Sequence, residues 1–470
     1  MGFSRIAAAC GLCLVACATA IAAAPAAARP PHIVYFVADD LGWKDVGFHG
    51  GAVRTPNLDK LAESGARLEK FYTLPWSTPT RAALLTGRYP MRYGLQTQSL
   101  LPWSEFGLPL GEFTLAQALR QAGYRTALVG KWQLGHFRRE YWPTQRGFDS
   151  FYGSFNGGID YFRKQAGTGE PDWHRNERLL AEPGYLTTLE GREAARIIQG
   201  HDPARPLFLY VSFQAPQAPW QAPKDYLEAY RDVGDENRRT YYAMISALDD
   251  AIGAVTAALE RKGMAGDTLV VFHSDNGGAF PNRHATGDGD VAATVADNGP
   301  YADGKGGLHE GSMRVVALAS WPGRIPAGII AERIHVTDMY PTLLGLAGAK
   351  PDQARPLDGV DQWETISAGK PSPRKELLLD MEDTRGALLR EGWKLIVHSR
   401  LPVRYELYNV QADPSEENNL ADKEPQRVQE LLARFNELAW EMAPSLYLED
   451  AQKPRKHPTP FFLGENPIRP

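Results

Sequence analysis

Five short apolar runs, at 32–38, 124–129, 207–213, 268–272 and 315–320, constrain this chain more than any other feature. Each is rich in β-branched or aromatic residues and bounded by polar or glycine-bearing turns, the pattern of strands buried on both faces. Helical patterns separate them: 57–64 closed by Gly65, 114–122 with Thr114 as N-cap and Gly123 as C-cap, and a long stretch over 235–262. Strand and helix in alternation predict an α/β fold, a large and mostly parallel sheet sandwiched by helices. Beyond about Pro351 the texture changes. Strand patterns at 377–380, 386–390, 393–398 and 406–409, then a helix over 425–442, predict a small antiparallel sheet with one packed helix. The Pro-rich tail over 453–470 reads as extended along the surface, and no internal repeat is visible. The domain reading is a leader at 1–28, a catalytic domain over 29–350 and a small α+β subdomain with its tail over 351–470.

The leader follows from Arg5 and the alanine-rich apolar run behind it, which is too short and poorly flanked for a membrane span. Ala22, Ala24, Ala26 and Ala28 offer peptidase sites, giving an exported, periplasmic or secreted protein. Leu14-Val15-Ala16-Cys17 also has the form of a lipoprotein cleavage box, which would tie the chain to a membrane through a lipidated Cys17. Cys10, Cys13 and Cys17 are the only cysteines of the chain, so the fold has no disulfide and no thiolate metal site. Composition excludes other classes. Of 470 residues, 43% are hydrophobic and 23% charged, which rules out a disordered chain. A formal charge of −5 argues against nucleic acid as a partner, since phosphate binding needs a concentrated cationic face.

In open α/β sheets, ligands collect at the carboxyl ends of the strands. Asp39 and Asp40 follow the first strand, Lys131 and Gln133 the second, Gln214 and Gln217 the third, and Ser274, Asp275 and Asn276 the fourth. Adjacent aspartates repel unless a cation or proton lies between them, and Asp275-Asn276 adds hard oxygen donors suited to Ca2+, Mg2+ or another divalent ion. Either pair alone reads more simply as a loop cap. Two pairs at equivalent strand ends point to a metal. The run from Ser77 to Arg88, STPTRAALLTGR, sets a hydroxyl at a helix N-terminus, where free N–H groups and the dipole favour an anion, with Arg81 one turn on. Nucleophilic oxygen, positive helix end, guanidinium and dication together suit attack on a tetrahedral oxyanion ester.

That run resembles the signature of the sulfatase family, Cys or Ser, then x-Pro-x-Arg, ending in Thr-Gly-Arg, on a fold shared with alkaline phosphatase. The resemblance continues through Val37-Ala38-Asp39-Asp40-Leu41-Gly42, Gly130-Lys131-Trp132-Gln133-Leu134-Gly135, Arg146-Gly147-Phe148-Asp149, Ser274-Asp275-Asn276-Gly277-Gly278, Gly304-Lys305, His309-Glu310-Gly311, Glu406-Leu407-Tyr408 and Asp413-Pro414. Within the family the pattern looks most like arylsulfatase B and other polysaccharide-type sulfatases. It implies a sulfuric ester hydrolase acting on a small-molecule or oligosaccharide ester. Asp39, Asp40, Asp275 and Asn276 would hold calcium with position 77 as a further ligand, and Arg81, Lys131 and Lys305 would clamp the ester oxygens. In the family, residue 77 is oxidised to formylglycine by a maturase, and its hydrate attacks sulfur. Here it is Ser77, which fits either a serine-oxidising maturase or an unmodified serine.

Two departures stand out. Gln133 and Gln217 occupy positions where the family carries histidine, and glutamine can neither give nor take a proton near neutrality. One reading keeps sulfate ester hydrolysis, with the proton supplied by Lys305, metal-bound water or His136. A second has unmodified Ser77 attack phosphorus in a phosphomonoester or phosphodiester. A third is an inactive homologue that binds an anionic ligand. His136 reads as a surface hydrogen-bonding residue, His273 as a core histidine, and His309 as a loop residue that lines the pocket in a minority reading. Trp76, Asp160, Tyr161 and Trp220 stand on loops that suit substrate contact, and Glu416-Glu417 reads as solvated surface.

Overall fold

Among the described residues, eleven strands form the main sheet: β1 His32–Ala38, β2 Ala66–Tyr72, β3 Arg125–Gly130, β4 Ser150–Gly153, β5 His174–Arg175, β6 Arg178–Leu179, β7 Leu207–Ser212, β8 Thr268–Ser274, β9 Arg314–Val315, β10 Ala317–Ser320 and β11 Gly328–His335. The computed structural model describes Met1 and residues 29–279, 295–350 and 355–453. The segment read as a leader, with its cysteines, and the tail beyond Lys453 lie outside the described residues. The strand order is β11-β2-β10-β8-β1-β7-β3-β4-β5-β6, with β9 on β2. β8, β1, β7, β3 and β4 run parallel, so their carboxyl ends open on one side. β10 runs antiparallel to β8 and β2.

β1 sits at the centre with every residue buried, as its continuous apolar run requires. Successive side chains point to opposite faces. Ile33, Tyr35 and Val37 pack with Ala82 and Leu85 of α2 (Ser77–Thr86) and Leu115 and Leu119 of α3 (Leu115–Gln121), the two helices that follow α1 (Pro56–Ser64). Val34, Phe36 and Ala38 pack with Leu186 and Ile198 of the helix Leu186–Gln199 and Ile245 and Leu248 of the helix Glu236–Lys262. Thr114 caps α3 through a reciprocal box with Gln117, at 3.1 Å and 2.9 Å. Thr114→Ala is expected to cost about 1 kcal/mol, read as a lower urea midpoint at unchanged slope.

The segment read as one strand over 315–320 is two, because Ser274 N–H reaches Val316 O between them and β9 pairs with β2 alone. β2 and β11 are absent from the reading above. They carry Arg67, Glu69, Lys70, Glu332 and Arg333, and this polar content suits strands toward the sheet edge and hides them from an apolar-run criterion.

The second sheet joins β12 Glu376–Met381, β13 Arg385–Arg390, β14 Trp393–His398 and β15 Arg404–Asn409 in sequential antiparallel order. Leu378, Leu388, Leu395 and Leu407 on one face meet Val428, Leu431, Phe435 and Leu438 of the helix Pro425–Ala439. Leu377, Leu379, Leu389 and Ile396 on the other meet Tyr72, Leu308 and Met313. The predicted helix end at 442 is thus Ala439.

Candidate active site

The carboxyl ends of β1, β3, β7 and β8 bring together the groups that follow them. Asp39, Asp40 and Asp275 are all buried, each with a carboxylate oxygen within 4.8 Å of the others. Asn276 Nδ2 donates to Asp40 Oδ1 at 2.8 Å, which leaves Asn276 Oδ1 facing Ser77 Oγ at 3.3 Å. Ser77 Oγ also lies 3.5 Å from Asp39 Oδ1 and is fully buried. Ser77 is the first residue of α2, after Trp76 in extended conformation, and every residue of α2 is buried, so its positive end acts with little solvent screening. Asp40 takes a left-handed φ of 64°, a conformation aspartate tolerates, and this turns its carboxylate toward Asp275 and Asn276 rather than along the strand.

Three cations close on these acids. Arg81 bridges Asp39 at 3.0 Å and Asp275 at 2.9 Å. Lys131 Nζ, wholly buried, pairs with Asp39 and lies 3.3 Å from Gln217 Oε1. Lys305 pairs with Asp40 at 2.7 Å and is partly exposed. Burial pushes both Asp39 and Asp40 upward, but Lys131 and Arg81 together hold Asp39 below the usual carboxylate range. Asp40, with Lys305 alone against burial and two neighbouring acids, rises to about 6. Burial also lowers Lys131, whereas Asp40 and its fellow acids hold Lys305 above its ordinary value in spite of burial. The formal charges of the three acids and three cations cancel. The donor set is all hard oxygen, from three carboxylates, an amide and a hydroxyl, so it fits a divalent ion such as Ca2+ or Mg2+, whose charge would leave the site cationic toward an anionic ester.

Gln133 is buried and Gln217 half-buried. Gln133 Nε2 donates to Leu100 O at 3.2 Å, and Gln217 Oε1 accepts from Gly158 N–H at 2.9 Å. Two other positions, His136 and Tyr161, differ from expectation. His136 is not on the surface but buried on Pro102 O at 2.8 Å. Tyr161 is also buried, its hydroxyl 2.8 Å from the carbonyls of Gln214 and Gln217, so it shapes the loop that carries Gln217. Asp160 accepts from the N–H groups of Phe162 and Arg163 as a turn former, and Trp220 packs on the core. Trp76 lies beneath Gly306, where an added Cβ would stand 2.6 Å from its ring, and donates to Glu382 at 3.2 Å. His273 is a core histidine, as expected, and burial lowers it to about 4.

Sequence reading missed a buried charge network behind Lys305. Glu416 is not solvated: it pairs with Lys394 at 2.9 Å, and Lys394 reaches Glu310 at 3.2 Å, all three side chains without exposure. His309 does not line the pocket but is clamped between Asp303 and Glu406. Burial lowers its basicity, yet these two carboxylates raise it to about 9. The stabilisation is fully present below about pH 6.5, the unfolded value, and is lost as pH rises through 9. Urea unfolding at pH 6 and pH 9.5 is expected to show this loss, and His309→Gln is expected to flatten it.

The mostly parallel sheet sandwiched by helices, with acids and cations at the carboxyl ends of its strands, is an α/β fold of the alkaline-phosphatase-like class. Residues 31–349 match the Sulfatase family. Arylsulfatase J of Mus musculus is 35% identical, the match covering 94% of this chain and 82% of that protein. N-acetylgalactosamine-6-sulfatase of Mus musculus is 36% identical over 74% of this chain and 68% of its own. The crystal structure named Ps i-CgsB superposes with a TM-score of 0.80 at 30% identity, covering 90% of this chain and 98% of that one. The phosphonate monoester hydrolase of Agrobacterium radiobacter shares the fold, with a TM-score of 0.60 at 20% identity over 89% and 96% of the two chains. The chain belongs to the sulfatase family and is a sulfuric ester hydrolase.

Proposed function

We propose that the chain hydrolyses sulfate monoesters of small molecules or oligosaccharides with the oxygen carried at position 77 as nucleophile. The observation that supports this most is the convergence of Asp39, Asn276 and the α2 terminus on Ser77 Oγ, with Arg81, Lys131 and Lys305 around it. Asp39, Asp40, Asp275 and Asn276 would hold a divalent ion, with Ser77 as a further donor. When bound, that ion supplies positive charge and polarises oxygen. The chain's own groups do the rest. Arg81 and Lys131 neutralise the acids beneath the ester and present N–H donors to its charged oxygens, and Lys305 does so from the open side. Oligosaccharide esters fit this reading, since the protein named Ps i-CgsB was also solved in complex with k-i-k-neocarrahexaose.

A second reading keeps Ser77 unmodified and takes a phosphate ester. It draws on Gln133 and Gln217, which offer no titratable proton where the family carries histidine. The mass of the tryptic peptide that contains Ser77, from the native host, separates the states: formylglycine is 2 Da lighter than serine by the loss of two hydrogens, about 1 Da each. The sulfate reading expects turnover of 4-nitrophenyl sulfate well above that of 4-nitrophenyl phosphate, and the reverse order contradicts it. We assign the site to residues 29–350, leave 351–470 as an accessory subdomain, and take the leader to direct export, through peptidase cleavage or lipidation at Cys17.

A further inference from the structure

We propose that Arg385, in the C-terminal sheet, is a positioning residue for Lys305, so that the small subdomain places one of the cations of the site. The proposal rests on the reading above that Lys305 meets the ester anion. β12 and β13 form a tight hairpin, closed by Glu382 N–H on Arg385 O at 2.8 Å. Leu377 and Leu379 of β12 and Ala387 and Leu389 of β13 are buried in one cluster with Tyr72, Leu308 and Met313. The hairpin therefore stands on a packed base.

Arg385 commits its guanidinium in two directions. Nε and Nη2 donate to Glu382 Oε2 at 3.0 Å and Oε1 at 2.7 Å, and Nη1 donates to Gly306 O at 2.7 Å. Gly306 is the residue after Lys305. Its N–H donates to Pro75 O at 2.9 Å, its φ of 78° is left-handed, and the Trp76 ring lies against it. Trp76 Nε1 in turn donates to Glu382 Oε1 at 3.2 Å. These contacts close a ring from Gly306 through Arg385, Glu382 and Trp76 back to Gly306, with Gly306 next to Lys305 in the chain and Trp76 next to Ser77.

Lys305 depends on such a hold. Its ammonium meets Asp40 at 2.7 Å from the end of a flexible four-carbon stem, while its own N–H donates to Gly278 O at 3.1 Å. The reach of that stem is set by where the backbone stands. Bonds to both the N–H and the carbonyl of Gly306 fix the peptide units on the C-terminal side of Lys305. Arginine suits the task because its planar fork engages a carboxylate and a carbonyl at once, whereas a lysine keeps the charge but offers one compact ammonium in place of the fork.

The test is a double-variant cycle of Arg385→Lys with Lys305→Ala, read as kcat/KM for 4-nitrophenyl sulfate and as the Kd of inorganic sulfate by calorimetry. Arg385→Lys alone is expected to lower kcat/KM about tenfold and to weaken sulfate about threefold, since a small misplacement of a charged group is costly in an oriented site. In the Lys305→Ala background the same substitution is expected to change either quantity by less than about twofold. Glu382→Gln keeps an acceptor for Trp76 but weakens the charge-assisted hold on Arg385. It is expected to repeat the pattern at about threefold in kcat/KM, and it decides the matter where Arg385→Lys does not fold. A change under about twofold in the native background, or an equal loss with and without Lys305, overturns the proposal, because a residue that only stabilises the fold acts on both backgrounds alike. If the native protein hydrolyses no sulfate ester, the sulfate reading fails, and the cycle on sulfate affinity still decides the role of Arg385. A native protein that neither hydrolyses a sulfate ester nor binds sulfate overturns both.

Discussion

Ser77→Ala is expected to lower kcat/KM for 4-nitrophenyl sulfate at least about 10³-fold while the protein stays folded. The two halves of that result have separate physical grounds. Ser77 Oγ is the group on which the acids and the helix terminus converge, and the carboxylates beside it are already paired with Arg81, Lys131 or Lys305. Its own hydrogen bonds, at 3.3 and 3.5 Å, are long, so their loss is expected to change stability by about 1 kcal/mol or less. Initial rates and urea midpoints of the same preparation measure both. Activity within tenfold of the native protein would place the nucleophile elsewhere. If Ser77 is oxidised in the host, the same substitution removes the precursor, and the expected loss is the same.

Lys394→Met is expected to cost about 3–5 kcal/mol of stability, the largest effect we anticipate away from the site. Lys394 stands between Glu310 and Glu416 at 3.2 and 2.9 Å with no solvent contact. Glu310 is also bonded to Tyr72 at 2.7 Å, and Glu416 receives the Glu310 N–H at 2.5 Å. Removing the ammonium leaves two buried carboxylates facing each other without their shared cation. Unpaired charge of this kind is what makes broken buried ion pairs expensive, whereas a neutral replacement of the whole group need not be. Adding Glu310→Gln and Glu416→Gln to Lys394→Met is therefore expected to recover part of the loss. A single-variant change under about 1 kcal/mol in urea unfolding would show that the network contributes little.

The strands that carry the site were legible because burial on both faces forces continuous apolar sequence, as in β1, β7 and β8. Their loops were legible because a parallel sheet directs the residues after each strand to one side. Asp39, Asp40, Asp275 and Asn276 follow from that rule together with the chemistry of paired acids. The edge elements were not, since β2 and β11 are rich in charged residues and do not stand out from helix or loop. The internal charge network was illegible for a different reason. Lys394, Glu310 and Glu416 are far apart in sequence, and a charged residue reads as surface until a partner is known to bury it. Tyr161 failed for a like reason, as it looks exposed by loop position and is buried by contacts from distant segments.

Calcium titration calorimetry of chelator-treated protein tests the central claim most directly. Asp40→Asn is the matching variant, because asparagine tolerates the φ of 64° at that position and can still accept from Lys305, while one carboxylate is lost from the ion's donors. The account predicts one ion per chain in the native protein and at least about tenfold weaker binding in the variant, in line with the effect of removing a charged oxygen ligand. No binding of calcium, magnesium or manganese to the native chain, or binding unchanged in Asp40→Asn, would contradict it.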